Sequence, residues 1–368
     1  MTTEQIYTLV NSVNTQAFGG TTLAVTDLQG LISLGNTVLD SSVNTEAFLN
    51  TLAQRIGETI IRYRSYRNKL QDMVLTNFEY GAILQKIYVA MPDAVADDMY
   101  TLTDGQSIDH YEVAKPQVDQ KLFVTRTPYM FVVTIQRQTL KEAFLSVEGM
   151  GALISAVYGQ VRNKIEATLE NLGRMTIAAG IGEAGASQNI HLITEYNTLA
   201  GTNYSDVDAL VDPGFLRYAI RRIKETMDDF TDMSSLHNDG TVETFTPYED
   251  QRIRIISKLE RALETCVDWA AFNEQYVKLA GYTKLNFWQA EDTPYAINVK
   301  RPSDGNAVAI DHVVAVVHDR DALGIYQEYE EILTTPLNAR GNYFNQYWHR
   351  KDARLVDTSE NLVFFTLD

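Results

Sequence analysis

MGALISAVYGQVRNKIEATLENLGRM, residues 150–175, carries Met150, Ile154, Val157, Val161, Ile165, Leu169, Leu172 and Met175 at steps of three or four. That spacing predicts an amphipathic helix, and with its flanks the stretch runs for about thirty residues, or about 45 Å. An average helix is less than half as long. Such a helix reads as a spine along which other elements are laid. Just upstream, Thr139-Leu-Lys-Glu142 has the form of a capping box, and Ser146 can cap a second start beyond it.

Upstream of the spine the chain changes character twice. Residues 1–60 are polar, rich in Thr and Asn, and hold a single basic residue, Arg55. Short helical patterns appear at Glu4–Val13 and Thr45–Ile56, the second with Asn44 as a start and Gly57 as an end. Each has little apolar face, so the segment reads as an arm that must find a surface elsewhere. Phe78–Met91 and Lys121–Gln138 are strand-like, rich in Tyr, Phe, Val and Ile. Between them Pro92–Ala114 holds Asp93, Asp97, Asp98, Asp104, Asp109 and Glu112 without a Lys or Arg. So long a connection is abnormal inside a compact domain, whereas a two-stranded projection with an acidic tip accounts for it. A hairpin of this kind is marginal alone and needs a partner surface.

Downstream, residues 190–335 alternate helices and strands as a mixed α/β lobe with its own core. Asp212-Pro213 starts a helix with the apolar stripe Leu216, Ile220, Ile223, Met227 and Phe230, beside a basic stripe of Arg217, Arg221 and Lys224. Arg252–Ile256 is a strand, Ser257-Lys-Leu-Glu260 is a second capping box, and strands are expected at 284–288, 295–299, 307–317 and 324–333. The tail from Gly341 to Asp368 is aromatic and β-prone, with Asp357-Thr-Ser-Glu-Asn361 as the turn of a hairpin. Pairing of this tail back near the spine follows from a lobe entered by a helix and left by strands.

Composition bounds the function. In 368 residues, 45% are apolar and 21% charged, with 8 Pro and 21 Gly, which excludes a disordered or low-complexity chain. At this size about three quarters of the extended chain's surface can be buried. Lys and Arg number 31 against 48 Asp and Glu, a net charge of −17, the opposite of what recruits phosphates to a nucleic-acid coat or a polybasic membrane binder. The one cysteine, Cys266, cannot form an internal disulfide and lies on an apolar helical face, where it reads as a core residue. The N-terminus lacks the basic and apolar regions of a secretory signal, and no apolar stretch approaches the roughly 20 residues of a membrane helix, so a soluble, reduced chain is expected.

The constellations that resemble chemistry each fail on a physical count. Gly180-Ile-Gly182-Glu-Ala-Gly185 has the letters of a dinucleotide fingerprint. It follows a helix instead of a strand and sets Glu183 against any phosphate, so it reads as a helix terminator. His312 and His318 stand at opposite ends of a strand about 20 Å long and cannot chelate one ion. Asp104-Gly105 resembles the middle of an EF-hand, but the register puts Tyr100, Leu102 and Tyr111 where carboxylates are required. There is no GxSxG, HExxH or P-loop, and Asp97-Asp98 and Asp228-Asp229 are adjacent and point apart on a helix. Against the acidic background two basic clusters remain, Arg62, Arg64, Arg67 and Lys69 after the arm and Arg217, Arg221 and Lys224 on the helix. They are either solvated faces or contacts to acidic patches of a neighbouring chain or to packaged nucleic acid.

The order of parts carries a resemblance. Arg55-Ile-Gly57 with Ile60-Ile-Arg62, Thr139-Leu-Lys-Glu-Ala-Phe144 leading into the spine, and His312–Asp321 ending in Asp319-Arg-Asp321 stand in sequence. Asn338-Ala-Arg340-Gly341-Asn-Tyr343-Phe-Asn-Gln-Tyr347-Trp348-His349 and Asn361-Leu-Val-Phe-Phe365 follow them. Over about Leu52–Leu367 the chain resembles the major capsid proteins of tailed bacteriophages with the Hong Kong 97-like fold, in particular the phi-twenty-nine type. The resemblance implies an α+β fold with an N-terminal arm (1–60), an E-loop with flanking strands (61–138), and a spine helix of the P-domain (139–190). An A-domain (191–335) and C-terminal strands of the P-domain (336–368) complete it.

It implies a structural protein without catalysis, cofactor or metal, which assembles with itself as hexamers and pentamers into an icosahedral head. Expected partners are a scaffolding protein, a portal protein and packaged DNA through weak non-specific contact, with no membrane. The phi-twenty-nine type continues into an immunoglobulin-like domain absent after Asp368, so no decoration role is expected. Lys86, Lys115 and Lys121 on the projection have no motif around them, so cross-links are not expected either. An encapsulin shell of the same fold and a soluble α/β enzyme are the alternatives.

Overall fold

The computed structural model describes residues 3–19, 24–58, 66–75, 84–89, 97–100, 103–107, 111, 115, 118–123, 125–269 and 281–368. In chain order the helices are α1 (Thr3–Phe18), α2 (Leu28–Asp40), α3 (Ser42–Glu58), α4 (Arg137–Phe144) and α5 (Val147–Leu153). They continue with α6 (Gly159–Glu183), α7 (Leu192–Ala200), α8 (Asp206–Ala209), α9 (Pro213–Asp229) and α10 (Ser257–Trp269). The strands are β1 (Val74–Leu75), β2 (Leu84–Val89), β3 (Val118–Phe123), β4 (Arg126–Gln136), β5 (Asn189–His191), β6 (Gln251–Ile256) and β7 (Tyr282–Leu285). The later ones are β8 (Ile297–Lys300), β9 (Ala307–Ile310), β10 (Val313–Asp319), β11 (Leu323–Thr334), β12 (Tyr343–Val356) and β13 (Leu362–Thr366). They form two compact units, one of Met1–Gly81, Arg126–Gly173 and Ile325–Ala353, the other of Ala82–Thr125, Arg174–Gly324 and Arg354–Asp368. These units cut across the segments expected from sequence: the first sixty residues join the first unit, and the tail is shared between both.

The first unit corrects the expectation of an arm in search of a partner. Ile6, Leu9, Val10 and Val13 of α1, Leu31, Leu34 and Val38 of α2, and Phe48, Leu49 and Leu52 of α3 are buried in one cluster with Leu140, Phe144, Met150, Ile154, Phe344 and Trp348. Gly35 permits the contact of α2 with α4, because a Cβ there would stand 2.6 Å from Phe144. Val25, ahead of α2, is pinned by Asn11, whose side chain accepts from Val25 N (2.6 Å) and donates to Val25 O (2.8 Å). At the start of α3 the cap is Ser41, whose Oγ accepts from Val43 N and Asn44 N, and not Asn44.

The spine is present with two amendments. Ser146 caps α5 by accepting from Gly149 N at 2.9 Å. A π-helical turn at Ile154–Tyr158 separates α5 from α6, with Ser155 Oγ donating back to Gly151 O. Thr139 is not a cap, because α4 already begins at Arg137, whose N–H donates to Asn342 O at 3.0 Å. The sheet of this unit has the order β1-β11-β12-β4. The register pairs Phe344 with Ile135 and Trp348 with Phe131, so alternate residues of β12 and β4 face the helical cluster. Trp348 lies 6.2 Å from the Tyr158 ring.

The second unit holds a five-stranded sheet of order β5-β13-β10-β6-β7. β10 is buried at every position, as its central place requires, and the apolar faces of α7, α9 and α10 pack with it. α9 starts as the sequence predicts: the Asp212 carboxylate accepts from Phe215 N at 2.7 Å, and Pro213 is in the first turn. Ser257-Lys-Leu-Glu260 differs, since α10 begins at Ser257 itself and Glu260 pairs with Lys284 Nζ at 2.5 Å. The expected strand 307–317 is interrupted, because His312 takes a left-handed φ of 58° between β9 and β10. Residues 357–361 do not close a hairpin: β12 pairs with β4, whereas β13 pairs with β10 and β5.

Candidate interaction surfaces

The projection exists in the second unit as a two-stranded sheet with β2 antiparallel to β3. Its register sets Lys86 opposite Lys121, Gln85 opposite Leu122, Ile87 opposite Gln120 and Val89 opposite Val118. Alternation then divides the ribbon into two unlike faces. One carries Lys86, Tyr88 and Lys121, which meet carboxylates of the same unit. Lys86 Nζ lies 2.8 Å from Asp357 Oδ2 and 2.5 Å from Glu360 Oε1, and Lys121 Nζ lies 2.5 Å from Asp239 Oδ2. The other carries Ile87, Val89, Val118 and Leu122, each more than half exposed at 59%, 55%, 57% and 54%. Beyond it Met99, Tyr100 and Tyr111 are exposed as well. Acidity dominates the sequence here, while the apolar face shows only once the register is known.

Of the acidic tip, Asp97 and Asp104 are exposed, and Asp97 Oδ1 accepts from Met99 N at 2.9 Å within its own turn. Asp98 opens a short 3-10 helix at Asp98–Tyr100. Asp93, Asp109 and Glu112 lie outside the described residues, as do Arg62 and Arg64 of the first basic cluster. Arg67 and Lys69 are exposed. Their segment is anchored through its backbone, with Tyr66 N donating to Asn163 Oδ1 and Lys69 N to Glu170 Oε2. The second basic cluster is present as a stripe on α9, where Arg217 and Arg221 are exposed and Lys224 is half-buried. Arg221 pairs with Glu225 at 3.1 Å and sits over the Tyr218 ring. The neighbouring Arg222, absent from the sequence-derived stripe, reaches Glu195 at 3.2 Å. The described members of the two basic clusters fall in separate units: Arg67 and Lys69 in the first and the α9 stripe in the second.

Buried charge in the first unit is a feature that the sequence reading missed. Arg350, 5% exposed, lies 3.3 Å from Glu330 and 3.7 Å from Asp352, and the Tyr129 hydroxyl donates to Asp352. Burial pushes the Asp352 carboxyl above its ordinary range, against the pull of Tyr129 and Arg350. Arg350 and Asp352 continue the buried face of β12 that carries Phe344 and Trp348, and Tyr129 continues the face of β4 that carries Phe131 and Ile135, so the charged cluster extends the inner face of the sheet.

The motifs that resembled chemistry have structural roles. Gly180 and Gly182 lie inside α6, and a Cβ on Gly180 would stand 2.7 Å from Leu323. Glu183 accepts from Ser303 N and Oγ, both at 2.7 Å. His318 is fully buried with Nδ1 2.6 Å from Asp319 O. Asp319 accepts from Thr246 Oγ1 and from Asp321 N, both at 2.7 Å, closing the turn into β11. Among the described residues no group of three or more His, Cys, Asp or Glu is arranged to hold a metal, and no helix is long and apolar enough to cross a membrane. The side chain of Cys266 lies outside the described residues.

A family model for phi29-like phage major capsid proteins matches residues 8–366, nearly the whole chain. The chain belongs to this family. Among curated members, the major capsid protein of Bacillus phage PZA is 23% identical over 336 residues, covering 90% of this chain and 66% of that protein. The major capsid protein of Bacillus phage B103 is 22% identical over 98% of this chain and 72% of its own length. The chain thus spans about two thirds of the length of these relatives. Solved structures agree on the fold. A chain in the capsid of Staphylococcus phage Andhra matches with a TM-score of 0.55 at 10% identity, over 84% of this chain and 87% of that one. One in the capsid of Cyanophage P-SCSP1u matches with a TM-score of 0.51 at 13% identity, over 84% and 90%. The fold is the α+β, Hong Kong 97-like architecture of tailed-phage capsid proteins, and family membership implies a structural role in the virion capsid.

Proposed function

We propose that copies of this chain close into an icosahedral head of hexamers and pentamers around the double-stranded DNA of a tailed phage. The family match over residues 8–366 carries this reading. In the finer assignment the β2–β3 ribbon is the E-loop, the run from α5 to α6 is the spine helix, and the second unit contains the A-domain. The ribbon's apolar face, with four large side chains more than half exposed, is the surface a neighbouring copy would cover. The acidic tip then lies over basic surface of that neighbour, for which Arg67, Arg217, Arg221 and Lys224 are candidates together with Arg62 and Arg64. A scaffolding protein and a portal protein complete assembly, as in a head that must be sized and then filled. With a net charge of −17 the lining gives packaged DNA few cationic contacts from which counterions are released, so the genome is held loosely.

Charge reversal at Asp97, Asp98 and Asp104 tests the tip. Particle yield should fall and its salt dependence change. Unaltered yield and salt response would remove the tip from the interface.

A further inference from the structure

We propose that Lys86 and Lys121 act as a cis latch, fixing the β2–β3 ribbon on the 357–360 turn of its own chain through Asp357, Glu360 and Asp239. The contact is internal to one unit and does not depend on the shell reading.

Two lysines directly opposite one another in an antiparallel pair repel and weaken the pairing. Here the same register brings both ammonium groups to one face, where three carboxylates converge. Asp357 is the centre. Its side chain is fully buried, and it takes Lys86 at 2.8 Å and Lys121 at 3.9 Å, the Tyr88 hydroxyl, and Ser359 N at 3.1 Å. Lys121 also donates to the hydroxyls of Thr358, at 2.9 Å, and Ser359. A carboxylate this deep is costly without cationic partners, so the platform requires the ribbon as much as the ribbon requires the platform.

Backbone hydrogen bonds that do not involve the lysines also hold the platform. Asp357 N donates to Ala322 O, Asp239 N to Thr358 O, Leu362 N to His237 O and Asp319 N to Asn361 O, at 2.8–2.9 Å. Asp239 is further held by Thr358 Oγ1 at 2.6 Å. Although burial alone would lower the Lys86 pKa, Asp357 and Glu360 hold it above the usual lysine value.

A two-stranded ribbon is marginal by itself. The latch supplies its support on the charged side and leaves the apolar side free. It therefore sets the direction in which Ile87, Val89, Val118 and Leu122 are presented, and it spares a neighbour the cost of ordering them.

Hydrogen–deuterium exchange of the full chain, read by mass spectrometry, tests the latch. Lys86→Met with Lys121→Met should speed exchange of 84–89 and 118–123 by about tenfold or more, while β10 and β13 keep their protection. Raising NaCl should do the same to the unaltered chain and little to the variant. Equal ribbon protection in both chains would overturn the proposal. Should β10 and β13 also open, the fold itself is lost, and Lys121→Gln decides by the same comparison. Lys121→Glu should open the ribbon and adding Asp239→Lys should close it again. A swap no better protected than Lys121→Glu alone also overturns it.

Discussion

Trp348 on β12 is 6% exposed, belongs to the first core and lies near Tyr158. Trp348→Ala should cost about 3–5 kcal/mol and yield insoluble chain, whereas soluble protein melting as before would contradict its core role. Asp212→Ala removes a cap bond of 2.7 Å and should lower stability by about 1 kcal/mol in denaturant titration, with the fold kept. For Glu328, burial favours the neutral acid, but hydrogen bonding to Lys351 and the charge of Arg126 outweigh it and hold the carboxyl below its ordinary value. A depressed carboxyl stabilises the fold above its unfolded pKa and loses that contribution as pH falls through the folded one. Glu328→Gln should thus flatten the fall in melting temperature below about pH 4.5; an unchanged acid slope would contradict the pairing. Local chemistry of this kind is what the sequence shows best. Asp212-Pro213 and Ser146 could be read directly because a cap needs only its own next three residues. Thr139 misled because the first turn of α4 is satisfied at a distance, by Asn342 O, and nothing near Thr139 records that bond.

At the scale of elements, periodicity shows the long helix but not its π-helical turn, and composition shows the strands of the projection, although the stretch Lys121–Gln138 expected as one strand divides between β3 and β4 in different sheets. Neither shows the faces, because a shift of one residue in register would exchange Lys86 and Lys121 for Ile87 and Gln120. This is why the acidic tip stood out in the sequence while the apolar face and the Asp357 platform, more than two hundred residues away in the chain, did not. The first three helices were underestimated for a related reason. Their apolar positions are sparse among Thr and Asn, and α2 contains Gly30 and Gly35; packing against α4 and α5, more than propensity, makes them helical. The ribbon face gives the sharpest prediction at this scale. Ile87→Glu with Val118→Glu changes only exposed positions, so melting should shift by no more than about 0.5 kcal/mol in stability. Particle yield should nevertheless collapse. Normal particles from this variant would exclude the face as a contact.

For the whole molecule, the charge balance and the order of parts were both readable from sequence, and they point to the same conclusion from different sides. A net charge of −17 is the opposite of what a tight genome coat needs, and residues 8–366 match a family of phage major capsid proteins. How copies meet is not written in one chain's periodicity, since an interface residue and a solvated one follow the same pattern until a neighbour is present. The proposed role therefore stands or falls on assembly. Electron microscopy of the expressed full chain, alone and together with neighbouring gene products, reads this assembly itself. Closed icosahedral shells are expected, in which neighbouring chains cover Ile87, Val89, Val118 and Leu122. A discrete small oligomer, with those side chains still in solvent, would contradict it.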